Sequence, residues 1–172
     1  MTDMVQGLSR FYRLTLNQGN VFTPLENELM QVETYLDIQR VKYAGAFSVH
    51  MDVEPEILRV QVMKLILQPF VENTFKHAWF GESIAIVITG KRQGDNLELK
   101  VIDNGIGMRP ETVQRLLVGP TQSGGYGVKN VNERIKLRYG DKYGIRIASV
   151  YGGGTTVQII LPANPGALPS LE

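Results

Sequence analysis

Three short stretches of this 172-residue chain hold the residue types that could do chemistry. In LILQPFVENTFKHAWF, residues 65 to 80, four polar residues (Glu72, Asn73, Lys76 and His77) crowd into six positions of an apolar run. Wound at about 100° per residue, Phe70, Val71, Thr74, Phe75, Ala78 and Trp79 share one half of the circumference and the four polar residues share the other. That outer half can be an ordinary solvated face, or it can offer an amide oxygen, a cation and an imidazole to a ligand. In VIDNGIGM, residues 101 to 108, Asp103 presents an acceptor carboxylate at a strand end. Gly105 and Gly107 remove side chains there, so a flat ligand can approach the backbone, although Asp-Asn-Gly is also common turn chemistry. In SGGYGVKNVNERI, Gly124, Gly125 and Gly127 lead into a helix. Free amides and the positive end of the helix dipole suit phosphate, and the same pattern also serves as a flexible connection.

Other chemistries find little support. No G-x-x-x-x-G-K-[ST] occurs, and neither GIGMRP nor GYGVKN completes G-x-G-x-x-G, which disfavours P-loop and dinucleotide-binding folds. No G-x-S-x-G elbow exists, and neither His50 nor His77 has a nucleophile suggested beside it. The chain has no cysteine, and its two histidines lie 27 positions apart, so thiolate and zinc spacings are missing. Lys and Arg number 18 against 17 Asp and Glu, for a formal net charge of +1, so no charge excess drives binding to nucleic acid or an anionic membrane. Any phosphate site must be local. No apolar run has the length of a membrane span, and MTDMVQGLSR lacks the form of a signal peptide, so a soluble chain is expected. The final Leu-Glu resembles a cloning remnant, and a native protein could extend past either end.

The elements that must position these stretches follow from periodicity. Val5, Leu8, Tyr12 and Leu16 have helical spacing over 4 to 18. A second helix is expected to run to about Tyr43, with Thr23 as cap, Pro24 at the first helical position and Glu26 completing a capping box. Leu25, Leu29, Val32, Leu36 and Tyr43 form its apolar stripe, and Ala44-Gly45 ends it. The two helices are expected to form a hairpin or to dock on a partner. Residues 46 to 53 alternate as a strand, and 62 to 80 are expected to be helix, with Pro69 inside kinking or restarting it. SIAIVITGKR and LELKVID flank Gly94-Asp95-Asn96 as an antiparallel hairpin. A short helix over 111 to 118 precedes a loop, GPTQSGGYG. A further helix turns Val128, Val131, Ile135 and Leu137 or Arg138 inward and stops at Gly140. YGIRIASVY and TTVQIIL form a last hairpin, and Pro162 onward reads as tail. The order implies an α+β fold, a two-layer sandwich with helices on one face of a mixed, mostly antiparallel sheet, preceded by a helical segment.

Taken in order, ENTFKHA, DNGIGM, GGYGVKN and GGGTT resemble the N box, G1 box, G2 box and final strand of the GHKL ATP-binding (Bergerat) fold, over about residues 46 to 162. That family includes gyrase, the Hsp90 chaperones, MutL and the sensor histidine kinases. The flanking stretches ENELMQVETYLDIQRVKYAGAF, LILQPFVENTFKHA and GYGVKNVNERIKLRYG are similar to LytS/YesM-type bacterial sensor histidine kinases, which extends the resemblance from about residue 8 to 162. It implies a helical remnant of a dimerisation or linker segment over 1–45, a catalytic domain over 46–162 and a tail over 163–172. It also implies a cytoplasmic piece of a protein anchored in the bacterial inner membrane, homodimeric when full length. Its expected partners are ATP, a histidine-bearing dimerisation segment and a cognate response regulator, with no nucleic acid.

Residue roles follow from the same resemblance. Asn73 would ligate magnesium (Mg2+) bridging the ATP phosphates, and Lys76 and His77 would face the phosphates. Asp103 would accept from the adenine amine beside Gly105 and Gly107, with Thr155 supporting that contact through water. Gly125 and Gly127 would form the phosphate-facing end of an ATP lid over 109 to 126, with Lys129 and Asn130 as further phosphate contacts. Glu72 is a candidate to polarise the acceptor imidazole or to bind metal through water. The gyrase-like members place a water-activating glutamate four residues before the asparagine, and here that position is Pro69, which argues against an efficient ATPase. The alternatives are a gyrase- or Hsp90-like ATPase and a non-catalytic nucleotide-responsive module. Residues 1 to 45 contain no histidine, so this chain is expected to bind Mg-ATP without phosphorylating itself.

Overall fold

The computed structural model describes residues 21–79, 81, 83–118 and 126–167. In chain order these form a short strand β1 (Phe22–Pro24), helix α1 (Leu25–Tyr43), strand β2 (Phe47–Val53) and strand β3 (Gln61–Met63). Helix α2 (Gln68–Asn73) follows and is continued by one π-helical segment, Thr74–Ala78. Strands β4 (Ile84–Gln93) and β5 (Asn96–Asp103) form a hairpin, helices α3 (Pro110–Val118) and α4 (Tyr126–Tyr139) come next, and strands β6 (Gly144–Ser149) and β7 (Thr155–Pro162) close the fold. The helix expected over 4 to 18 and the loop residues 119–125, Gly125 among them, lie outside the described residues.

Strand alternation builds the main sheet. Ile84, Ile86 and Ile88 of β4, Leu97, Leu99 and Val101 of β5, and Val157, Ile159 and Leu161 of β7 are buried, because every second side chain faces the same layer. The order is β2-β4-β5-β7-β6, with β2 parallel to β4 and the other pairs antiparallel, so the mixed, mostly antiparallel α+β sandwich is observed. Phe70 and Val71 of α2 and Val128, Val131 and Ile135 of α4 pack into the same core, as do Leu25, Val32 and Leu36 of α1. At about 1.5–3 kcal/mol for each large side chain removed from water, α1 is held about as firmly as α4.

Three local expectations are corrected. The chain before α1 is not a capping box: Thr23 lies in β1, paired with Val62 of β3, and its hydroxyl accepts from the Asn27 side chain at 3.0 Å. The first amides of α1, Leu25 and Glu26, instead donate to the carbonyls of Val60 and Leu58, both at 2.9 Å. Tertiary strand pairing thus supplies acceptors that the local signal assigned to a side chain. Residues 62 to 67 are also not helix. They form β3 and a turn in which Leu65 has φ 59°, and α2 begins only at Gln68. Pro69 therefore opens the helix, where a missing N–H costs nothing, rather than kinking it. On α4, Leu137 is 77% exposed and Tyr139 is the buried residue of the last turn, while the Arg138 guanidinium lies 5.4 Å from the Phe22 ring.

The turn before α2 depends on a residue with no sequence prediction attached to it. Glu28 of α1 is buried, and its carboxylate accepts from the amides of Leu65, Ile66 and Leu67 at 2.8, 3.1 and 3.5 Å. Arg134 donates to the Lys64 carbonyl at 2.8 Å and closes the same turn from the α4 side. Burial pushes the Glu28 carboxyl above its ordinary value, and the three amides pull it partly back.

Candidate functional site

The site is assembled from chain segments that the sheet and α2 bring together. The π-helical segment leaves Trp79 N donating to Thr74 O at 3.1 Å, and it ends at Ala78, whose carbonyl accepts from Ile106 N at 2.9 Å. This docks the glycine loop after β5 against the end of the helical segment. A Cβ on Gly105 would lie 2.3 Å from the Ala78 carbonyl oxygen, so only glycine permits the approach. Gly107 has φ 67°, and a Cβ there would meet the Val150 carbonyl oxygen at 2.0 Å. Both glycines are thus required by the packing of the loop on its neighbours, in addition to any ligand.

A cavity of about 340 Å³ opens between these segments. Asn73, Thr74, His77 and Ala78 line it from the helical side, Asp103 from the end of β5, Gly107 and Met108 from the loop, and Thr155 from β7. Its apolar walls come from Phe70, Leu116, Val128, Ile147 and Val157. The Asp103 carboxylate accepts from Gly105 N at 2.9 Å, and burial raises its pKa, an effect that hydrogen bonds from the Gly105 and Thr155 backbones only partly oppose. The register of β5 and β7 sets Asp103 directly beside Thr155. A pocket with a carboxylate and a hydroxyl amid apolar walls suits a flat group bearing an N–H donor.

Other sequence-predicted residues lie elsewhere. Glu72 accepts from Gln68 Nε2 at 3.0 Å and from Lys76 Nζ at 3.1 Å, so this pair forms an ion pair along the helix, and neither residue lines the cavity. Lys129 lies 3.7 Å from Glu133, and Asn130 is exposed on α4. A Cβ on Gly127 would approach Pro69 Cβ at 3.2 Å, which identifies it as the point where α4 crosses the start of α2.

Ser149 escaped the sequence reading. Its hydroxyl lies 2.7 Å from Met108 N, 3.0 Å from Gly154 O and 2.9 Å from Thr155 Oγ1, joining the glycine loop, the turn after β6 and β7. One signal could have found it: Ile145, Ile147 and Ser149 share one face of β6, so a hydroxyl occupies an inward position.

The family model described as histidine kinase-, DNA gyrase B-, and HSP90-like ATPase matches residues 59–165, and a second, histidine kinase, matches residues 1–47. The sensor histidine kinase YesM of Bacillus subtilis (strain 168) is 30% identical over 164 residues, and the sensor histidine kinase BtsS of Escherichia coli (strain K12) is 29% identical over 163. Each alignment covers 94% of this chain, which spans 28% of the length of each relative. Among solved structures, full-length ShkA in complex with AMPPNP matches with a TM-score of 0.65 at 18% identity, over 92% of this chain and 35% of that one.

Proposed function

Because the chain belongs to the histidine kinase-, DNA gyrase B-, and HSP90-like ATPase family, we propose that it is the ATP-binding catalytic part of a two-component sensor histidine kinase. It would pass the γ-phosphoryl group to a histidine on a dimerisation segment. The observation that carries this reading is the meeting of Asn73, His77, Asp103 and Thr155 in one cavity, although 82 positions separate the first from the last. Asp103 accepts from the adenine amine, Gly107 brings backbone close to the base, and Thr155 supports the contact. Asn73 offers magnesium a hard oxygen, and His77 meets phosphate charge. Lys76, Gly127, Lys129 and Asn130 lie outside the cavity lining, and a phosphate role for them, as for Gly125, rests on the family resemblance alone.

The amide oxygen of Asn73, on the cavity wall, is the kind of hard oxygen that suits a magnesium ion shared with the nucleotide. When bound, that ion neutralises phosphate charge during transfer. The protein's own part is positioning: Asn73 and His77 project from one short helical segment whose two ends are fixed. Pro69, four residues before Asn73, opens α2 and offers no group to activate water, which favours a kinase over a hydrolase.

Residues 1–45 are proposed as the connection to the dimerisation segment, 46–162 as the catalytic unit and 163–172 as tail. The relatives' lengths and the family support a larger, membrane-anchored, homodimeric protein whose cytoplasmic piece this is, acting on a response regulator; no described helix is long and apolar enough to cross a membrane. The test mixes the chain with a histidine-bearing dimerisation fragment and labelled ATP. Acid-labile phosphohistidine on the fragment, and none on the chain alone, is the expected result. Free phosphate would favour an ATPase, and neither product a non-catalytic module. Nucleotide titration with and without magnesium tests the role of Asn73.

A further inference from the structure

We propose that Ser149 sets the base selectivity of this pocket by holding the Thr155 hydroxyl as a hydrogen-bond acceptor toward the occupant, an inference that rests on the nucleotide-binding reading above. A proton count carries it. A serine hydroxyl has one hydrogen to donate and two lone pairs to accept with. Met108 N–H, at 2.7 Å, can only donate, so it occupies one lone pair. The Gly154 carbonyl oxygen, at 3.0 Å, can only accept, so it takes the single proton of Ser149. The remaining contact, 2.9 Å to Thr155 Oγ1, then has one polarity: Thr155 donates and Ser149 accepts. All three capacities of Ser149 are filled. The reverse polarity would withdraw the Ser149 proton from the Gly154 carbonyl, leaving it only the amide of Val150 at 3.3 Å.

Thr155 has therefore spent its proton and shows only lone pairs to the cavity it lines. Beside it in the sheet register stands the Asp103 carboxylate, also an acceptor. Two neighbouring acceptors match a base edge that carries an amine, as adenine does. A guanine seated in the adenine pose places its C6 carbonyl oxygen where adenine has its amine, and in that pose the two acceptors repel it. Released from Ser149, the Thr155 hydroxyl can turn and donate to that carbonyl. Ser149 is thus a positioning residue acting through Thr155, and its removal should relax the choice of base more than it weakens binding.

The test measures dissociation constants of ADP and GDP for the whole 172-residue chain and its variants by calorimetry. The wild-type chain is expected to prefer ADP, and Ser149→Ala to lower the ADP-over-GDP preference about tenfold, the worth of one neutral hydrogen bond, through a gain in GDP affinity. Ser149→Thr, which keeps the hydroxyl, should restore the wild-type ratio. Ser149→Cys, close in shape and a poor hydrogen-bonding partner, should relax the ratio as alanine does and guards against a folding defect in the alanine variant. Equal losses for both nucleotides in the alanine and cysteine variants, with the ratio unchanged, would reduce Ser149 to a structural residue and overturn the proposal. A wild-type chain that binds neither nucleotide overturns the pocket reading itself, and this inference with it.

Discussion

Replacing Glu28 by glutamine changes one atom and tests how the turn before the site helix is held. Glu28 is 1% exposed; one carboxylate oxygen accepts from Leu65 N at 2.8 Å, and the other from Ile66 N at 3.1 Å and Leu67 N at 3.5 Å. The glutamine amide oxygen can take the second place and keep two partners, but its NH2 group then faces the Leu65 amide, donor against donor. A buried amide left without an acceptor costs about 1–3 kcal/mol, and the two retained bonds lose their charge-assisted part, about 1 kcal/mol each. Against this, the variant no longer buries a charge, the largest influence on the Glu28 carboxyl. The net expectation is a loss of about 2 kcal/mol, or roughly 4–8 °C in Tm for a chain of this size. Glu28→Ala orphans all three amides and opens a cavity, so it should lose more, about 3–5 kcal/mol. Thermal unfolding followed by circular dichroism at neutral pH gives both numbers. A glutamine variant that melts within about 1 °C of the wild type, or an alanine variant no worse than glutamine, would refute the three-amide account.

If Asp103 accepts from the nucleotide base as proposed, its carboxylate in the cavity lining should make nucleotide affinity depend on pH. Burial raises the Asp103 pKa above the ordinary 3.8, so binding that needs the ionised acceptor should weaken as pH falls through that raised value, earlier than for an exposed aspartate. Asp103→Asn should remove this acid limb and weaken nucleotide binding roughly 10- to 100-fold at neutral pH, as read by titration with a fluorescent nucleotide. Gly107→Ala and Gly152→Ala separate crowding from backbone strain: both positions have positive φ, 67° and 83°, but only at Gly107 does a Cβ meet backbone, at 2.0 Å, whereas at Gly152 nothing lies within 4 Å. Denaturant unfolding should show about 1 kcal/mol lost at Gly152 and at least twice that at Gly107. Tyr43→Ala removes ring contacts to Phe75 at 5.6 Å and Trp79 at 4.5 Å, so emission from Trp79, the chain's single tryptophan, should shift to the red. Unchanged emission would contradict the packing of α1 on the helical segment.

The five strands of the main sheet and the polar half-face at 72 to 77 were legible because period-two and helical patterns are local. Ile84, Ile86 and Ile88 announce their layer without knowledge of their partners, and so do Phe70, Val71 and Phe75. What sequence misassigned was decided by distant chain. Thr23 and Pro24 carry a good helix-start signal, yet β3 captures that segment as a strand. Residues 62 to 67 have apolar content compatible with helix, yet Glu28, 37 positions before Leu65, supplies acceptors for a turn with Leu65 at positive φ. The clue was present in α1 itself: Glu28 lies in line with Leu25 and Val32 on the buried stripe, and a charge there needs a partner of its own. At the site, Asp103 and Thr155 could be named individually, but their adjacency comes from the β5–β7 register, and Ser149 acquires meaning only once the Met108 amide and the Gly154 carbonyl are brought to it.

Helix α1 also bears on how the site can be controlled. It grips the helical segment that carries Asn73 and His77 at both ends. Before that segment, Glu28 holds the turn of Leu65, Ile66 and Leu67; after Asn73, Tyr35 and Tyr43 pack against Phe75 at 5.9 and 5.6 Å, and Tyr43 reaches Trp79. Burial and the neighbouring Glu72 charge push the Tyr35 phenol well above its ordinary pKa, so this tyrosine stays neutral and packs as a ring rather than as an ion. The segment between the grips is short, and its second half is π-helical, a form rarely stable without outside support. A shift or rotation of α1 would therefore have to be taken up between the two grips, where Asn73 lies. If residues 1–45 lead from a dimerisation segment, as proposed, movement there reaches the nucleotide site through two sets of contacts already in place, with no further element between them.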